Sequence, residues 1–189
     1  AWSDEPFEYN GKLVNVTPKP FTRPHPFFLV GGMSKPAVRR AARLGLPFAP
    51  PVADPELEAY YHAECEKHGT VGFTHSPPED FSVLFIHEDP DAAWATYGEH
   101  FLNEAIEYSS WKTEGVNRPL EFASNSVDAL REEQRYEIIT PAECMARHRD
   151  RADFFAAVHP LIGGMPLDAA WTSLKLYAEQ VVQPLLAEH

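Results

Sequence analysis

The stretch FFLVGGMSKP, residues 27–36, decides the predicted fold. Its four apolar residues, which end at Val30, are typical of a strand buried on both faces, as in a parallel sheet. Two glycines follow, and Ser34 can then cap a helix that Gly45 ends. The stretch therefore predicts a strand, a tight turn and a helix, which together form one βα unit of an α/β protein.

The same alternation of strand and helix continues along the chain. Further strands are predicted at 46–49, 82–87 and 154–158. Helices follow them, capped by Asp54 and Asp89 or opened by the turn at 159–164, and the last helix is expected to end near Pro184. Four successive βα units imply parallel strands with right-handed crossovers, which corresponds to half of a (β/α)8 barrel or to a small open sheet.

Two segments depart from this alternation. Residues 110–135 are polar and irregular, which predicts a long loop. Residues 136–139 form a short extended piece, and Thr140 can cap a helix after it. Neither segment is counted among the four βα units.

The N-terminal residues predict a separate β-hairpin. An Asn-Gly turn at Asn10 lies between two short runs of aromatic and β-branched residues, which favours a hairpin over residues 7–16. A proline-rich connector follows it. The predicted organisation is therefore a hairpin and connector at 1–24 and one α/β region at 25–189.

Composition and charge exclude several classes of protein. Sixteen Lys and Arg residues against 28 Asp and Glu give a net charge of −12 at pH 7. This charge repels nucleic-acid backbones and anionic lipids, so neither is expected as a partner. No apolar run approaches the ~20 residues that span a bilayer, and a cytoplasmic protein is expected. Cys65 and Cys144 lack CxxC or Cys/His spacing, so neither a disulfide framework nor a metal site is predicted.

The turn after the first predicted strand is a candidate anion site. Gly31 and Gly32 let the backbone approach a ligand closely, and the following helix offers free N–H groups and the positive end of its dipole. Lys35 adds a full positive charge. A second glycine pair, Gly163-Gly164, is similar, but it is better explained by the turn into the last helix.

Three segments in series resemble one family of enzymes. Residues 26–45 resemble the strand, glycine pair and helix of the luciferase-like monooxygenases, which use flavin or coenzyme F420. Residues 83–94 are similar to that family's next-to-last strand with its acidic connection, and residues 159–186 to its last strand and closing helix. The hairpin at 7–20 resembles the insertion before the glycine strand.

The resemblance implies the C-terminal half, about strands 5–8, of a (β/α)8 barrel with its cofactor at the carboxyl ends of the strands. Gly31 and Gly32 would supply N–H groups to the phosphate of FMN or F420, and Ser34 and Lys35 would lie against the phosphate or the cofactor tail. Apart from the resemblance, His87 and His159 lie at the ends of two predicted strands and would point toward the active face of a barrel, where a histidine acts as a proton donor or hydrogen-bond partner. The alternative is that both are structural histidines. The implied activity is oxygenation or hydride transfer on a small organic substrate.

Other hypotheses remain open at this point. The chain could be a non-catalytic fragment or a structural subunit that completes a barrel with a partner. Half a barrel exposes two sheet edges, which favours a homo-oligomer or association with the missing N-terminal half. A small independent α/β binding domain is the third hypothesis.

The anion-site hypothesis predicts the effect of Gly32→Asp. We expect this substitution to abolish cofactor binding and leave the fold intact, because it places a negative charge where a phosphate would lie. Titration of the variant with FMN and with F420 checks this expectation.

Overall fold

A computed structural model of the chain describes residues 3–22, 27–78, 80–111 and 122–188. The chain divides into two compact units. The first unit consists of Ala1–Pro50 and Asp54–His75, and the second of Pro51–Ala53 and Ser76–His189.

The first unit begins with the predicted hairpin. Strand β1 (Phe7–Tyr9) pairs antiparallel with β2 (Lys12–Val14). Asn10 and Gly11 between them both have positive φ, 51° and 70°, as a type I′ turn requires. The hairpin prediction is confirmed. Residues 23–26 of the predicted connector lie outside the described residues.

Two short parallel strands and two helices make up the rest of the first unit. Strand β3 (Val30–Gly31) leads into helix α1 (Lys35–Leu44), and β4 (Phe48–Ala49) leads into α2 (Pro55–His68). Phe48 also forms a parallel bridge with Thr74. The parallel segments therefore lie side by side in chain order. Phe48 and Tyr61, both fully buried, stack at the centre of this unit's core.

The predicted burial of residues 27–30 on both faces is wrong. Only Val30 of that run belongs to β3, while the side chains of Phe27 and Leu29 are 70% and 44% exposed. Phe27 instead stacks on Phe73 at a centroid distance of 6.3 Å. Val30 pairs with Phe48 of β4, whereas Phe27 and Leu29 lie outside β3, and their exposed side chains lack the packed faces that a buried strand needs.

The second unit contains a three-stranded parallel sheet. Strand β5 (Val83–Ile86) lies in the centre, between β6 (Tyr136–Ile139) and β7 (Ala157–Val158). The order β6-β5-β7 differs from that of a barrel, in which strands adjacent in the chain are neighbours. Residues 136–139, predicted only as an extended piece, are thus a full member of the sheet. The strand predicted at 154–158 is confined to its last two residues.

The described part of this unit contains five α-helices. They are α3 (Pro90–Ser110), α4 (Val127–Glu132), α5 (Pro141–Asp150), α6 (Leu167–Tyr177) and α7 (Gln183–Ala187). The loop predicted at 110–135 is wrong where α4 forms, because Ser126 caps that helix and Leu130 buries its side chain. Residues 112–121 of that loop lie outside the described residues. The last helix continues past Pro184 to Ala187, through a π-helical turn at Ala178–Val182.

The predicted helix caps are confirmed. The side chains of Ser34, Asp54, Asp89 and Thr140 each accept a hydrogen bond from the backbone N–H three residues further on. Such a bond satisfies a donor that the first helical turn leaves unpaired. The local signals therefore identify where these helices begin.

An ion-pair network lies at the amino ends of β5 and β6. Arg147 donates to both oxygens of Glu137, at 2.9 and 2.7 Å, and to Glu143 at 2.7 Å. Ser82 donates a further hydrogen bond to Glu137. Ser82, Glu137 and Arg147 are among the residues that line a cavity of about 530 Å³. Arg147 thus provides the main interaction that offsets the cost of burying the Glu137 carboxylate.

We expect Arg147→Met to lower the free energy of unfolding by about 2 kcal/mol, because it leaves the largely buried Glu137 carboxylate unpaired. Arg149→Met is the matched control. Arg149 pairs with Glu188 at the surface, and its loss should change stability by less than about 0.5 kcal/mol. Urea unfolding followed by circular dichroism measures both, and equal stabilities of the two variants would contradict the role of Arg147.

The same pair predicts a pH dependence. Burial by itself raises the pKa of Glu137, but the hydrogen bonds from Arg147 and Ser82 outweigh burial and lower the pKa. The stabilisation is therefore present above the unfolded pKa of about 4.5 and is lost as the pH falls through the lower folded pKa. In Arg147→Met, burial acts without that hydrogen bond, so Glu137 binds its proton at a higher pH than in wild type. We expect the stability difference between the two proteins to be largest near neutral pH and to narrow as Glu137 is protonated in both, which urea unfolding at a series of pH values measures.

Candidate functional site

The glycine turn between β3 and α1 brings together the four predicted cofactor-binding residues. Gly31 is the last residue of β3, and Ser34 and Lys35 begin α1. Gly32 between them has φ +147°, and a Cβ placed there would lie 2.9 Å from the Cβ of Ala37. Only glycine therefore fits position 32 without a shift of the helix.

The electrostatics of this turn favour an anion. Helices α2 to α6 each have an acidic residue in their first turn, whereas α1 has none. No described residue accepts a hydrogen bond from the backbone N–H of Met33, Ser34 or Lys35. Lys35 is exposed, and its ammonium group lies 5.4 Å from the centroid of the Tyr60 ring of α2. The turn thus offers donors and a cation that fit a phosphate group.

The structure corrects the expected outcome of Gly32→Asp. That variant would disturb the start of α1 through its Cβ and its positive φ, so a loss of binding would not report on charge alone. Gly31 is the better position to change. Its Cβ would meet only the carbonyl oxygen of Ala49, at 3.8 Å, which is ordinary van der Waals contact.

His87 and His159 lie at the carboxyl ends of neighbouring strands, as predicted, but each contacts the protein through Nδ1. Asp89 donates its backbone N–H to Nδ1 of His87 at 3.0 Å, which ties the ring to the start of α3. Nδ1 of His159 lies 3.5 Å from Oε1 of Glu104, and the His159 side chain is 47% exposed. Any function in proton transfer would therefore use the Nε2 atoms.

Glu104 is a residue that sequence reasoning missed. Its Oε1 accepts from the Tyr136 hydroxyl at 3.0 Å, and its Oε2 accepts from the backbone N–H of Gly163 at 2.8 Å. Burial, together with the nearby Glu104 carboxylate, raises the pKa of Tyr136, so the phenol keeps its proton and remains a donor. The available signal was an acidic residue between the apolar residues Leu102 and Ala105 of α3.

The second glycine pair is therefore already bound to an anion from the chain itself. Gly163 has φ +49°, and a Cβ there would lie 1.8 Å from the carbonyl oxygen of His100. This close approach brings the turn against α3 while Glu104 takes up the Gly163 N–H. The interpretation of Gly163-Gly164 as a structural turn into α6 fits these contacts.

The described residues were also compared with what a metal site, a reactive cysteine or a membrane span requires. No group of three or more His, Cys, Asp or Glu side chains there is arranged to hold a metal ion. Cys65 and Cys144 are free and buried, and burial raises the pKa of the Cys144 thiol to about 11. Within the same residues, no helix combines the length and the apolar character needed to cross a membrane.

No protein-family model matches the sequence. No curated protein matches it significantly.

The packing of Gly163 against α3 yields a stability prediction. We expect Gly163→Ala to lower the free energy of unfolding by about 3 kcal/mol, because the new methyl group overlaps the His100 carbonyl oxygen. Gly164→Ala is the matched control, since its φ is also positive but a Cβ there meets nothing within 4 Å. It should cost about 1 kcal/mol, from backbone strain alone. Thermal unfolding of both variants tests this, and equal losses would argue against the contact.

Proposed function

We propose that the chain is part of a luciferase-like oxidoreductase that uses reduced FMN or coenzyme F420 on a small organic substrate. The observation that carries this proposal is the turn at the end of β3. The backbone N–H groups there have no acceptor among the described residues. Lys35 is the first residue of the helix that follows, and that helix has no acidic residue in its first turn. Ligands of parallel α/β proteins bind at the carboxyl ends of strands, where this turn lies.

The order of the parallel segments in the first unit supports the half-barrel proposal. Val30 pairs with Phe48, and Phe48 pairs with Thr74, so segments successive in the chain are neighbours in the sheet. This is the order that a (β/α)8 barrel requires. In the second unit β6-β5-β7 departs from it, so the argument for a barrel rests on the first unit.

The cofactor and the protein would have different roles in the proposed reaction. The bound cofactor would supply the redox chemistry, which no protein side chain replaces. The N–H groups at the start of α1 would hold and orient its phosphate, with Lys35 neutralising part of the charge. In the second unit, Nε2 of His159 and of His87 are the candidates for hydrogen bonds to a substrate or for holding a proton.

A second candidate function is that of a subunit that needs a partner. Leu167, Trp171 and Leu174 of α6 recur at i, i+4 and i+7, and are 67%, 59% and 36% exposed. Such a stripe is the pattern by which a helix packs against another apolar surface. It favours association, either with a second copy or with an N-terminal half of the barrel.

Gly31→Asp tests the phosphate site without disturbing the helix. We expect it to weaken binding of FMN or F420 at least tenfold, because a carboxylate would then lie beside the cofactor phosphate. Gly31→Ala, the matched control, adds the Cβ without the charge and should bind within about twofold of wild type. Fluorescence titration of the purified chain measures all three proteins.

Two outcomes would count against the proposal. Equal affinity of the Asp and Ala variants would remove the turn from the binding site. The second outcome is that wild-type protein binds neither FMN nor F420 while its circular dichroism shows a folded chain. The cofactor proposal would then be wrong for this chain, and the result would favour the subunit hypothesis.

A further inference from the structure

The charge of the protein is distributed unequally between its two units. The first unit contains eight basic and eight acidic residues, whereas the second contains eight basic and twenty acidic ones. The net charge of −12 therefore comes entirely from the second unit. The first unit is neutral, so a basic surface on it would contrast with the acidic character of the rest of the chain.

Half of the basic residues of the first unit lie on α1. Lys35, Arg39 and Arg43 follow one another at intervals of four residues, so they form a stripe along one side of the helix, and Arg40 lies beside it. The sequence of α1 contains no acidic residue. The opposite side is apolar and buried, through Ala37, Val38, Ala41 and Ala42.

The basic stripe lines a groove. Arg39, Arg40 and Arg43, together with Pro36 and His68, surround a space of about 320 Å³. Among the described residues, neither Arg40 nor Arg43 has a salt-bridge partner. Arg39 donates to the hydroxyl of Tyr60 at 3.2 Å, an uncharged acceptor. Arg40 and Arg43 thus line this groove without a carboxylate partner among the described residues, while Arg39 is also attracted by the carboxylate of Glu64.

The stripe begins at the proposed phosphate site and runs away from it. The ten residues of α1 span about 15 Å at a rise of 1.5 Å per residue. FMN ends at its phosphate and would leave Arg40 and Arg43 without a ligand group. Coenzyme F420 continues beyond its phosphate into a chain of glutamate residues, each of which adds a carboxylate. These glutamates are γ-linked, with five backbone bonds per residue instead of three, so about three extended residues cover 15 Å.

We propose that the basic stripe of α1 binds the oligoglutamate tail of F420, and that the cofactor of this chain is therefore F420 and not FMN. The inference rests on the proposed function, because it extends the same phosphate site along the helix. Guanidinium groups bind carboxylates through paired hydrogen bonds, so an arginine stripe suits successive carboxylates. The contacts lie at the surface and are accordingly weakened by salt.

The test compares three ligands that differ in their anionic groups: F420 with five glutamates, the form of F420 that lacks glutamates, and FMN. They are titrated at about 20 and 500 mM salt into wild-type protein and Arg40→Gln/Arg43→Gln. The charge-matched control is Lys12→Gln/Lys175→Gln, which removes two positive charges elsewhere in the chain.

At low salt we expect glutamylated F420 to bind wild-type protein about fivefold more tightly than the form without glutamates, as two exposed ion pairs allow. This preference should fall below about twofold in Arg40→Gln/Arg43→Gln and at high salt, and should persist in the control. Equal binding of the two F420 forms to wild-type protein would overturn the tail site while leaving the phosphate site in place. Tighter binding of FMN would overturn the assignment of F420.

A further ligand separates failure of this inference from failure of the proposed function. Free γ-linked pentaglutamate carries the tail without the cofactor, and calorimetry measures its binding directly. If no cofactor binds, the proposed function fails, but pentaglutamate binding that is lost in Arg40→Gln/Arg43→Gln would still support an oligocarboxylate site on α1. Absence of pentaglutamate binding, or binding unchanged in that variant, would overturn it.

Discussion

Burial of β5 on both faces is the constraint on which the second unit depends. Val83 and Phe85 pack against α3. Leu84 and Ile86 pack on the other face, against residues of α5, of α6 and of the π-helical turn that follows α6. A parallel strand covered on both faces contributes apolar burial from every side chain, at roughly 1.5–3 kcal/mol each. Because both neighbours pair with this strand, β6 and β7 occupy its two sides, and the order β6-β5-β7 follows.

The two glycine pairs show how similar turns acquire different roles. At Gly163 the backbone N–H donates to Glu104, and the turn presses against α3, so an internal carboxylate satisfies the anion-binding capacity. After Gly31 and Gly32, no described carboxylate accepts a hydrogen bond from the backbone N–H of Met33, Ser34 or Lys35. The difference lies in the residues that reach each turn, because both turns share the same glycine chemistry. A turn without an internal anion leaves its N–H groups open to an external one.

Sequence reasoning succeeded where a few adjacent residues determine the structure. The Asn10-Gly11 turn defines the hairpin, and Asp54 or Asp89 with the proline after it defines a helix start. It failed where distant residues decide. The apolar run at 27–30 resembles a buried strand, yet its burial depends on partners that lie elsewhere in the chain. Glu104 contacts Gly163 across 59 residues of sequence, which no local pattern reveals.

The charge on α1 is unfavourable for the helix itself. Lys35 lies at the positive end of the helix dipole, where a cation costs about 0.3–1 kcal/mol, and no acidic residue in the first turn offsets it. Arg43, in the last turn, is favourably placed, so the cost is confined to the N-terminal end. An anion bound at the glycine turn would remove that repulsion. Ligand binding and the stability of α1 are therefore coupled, since whatever binds the folded turn stabilises the helix that forms it.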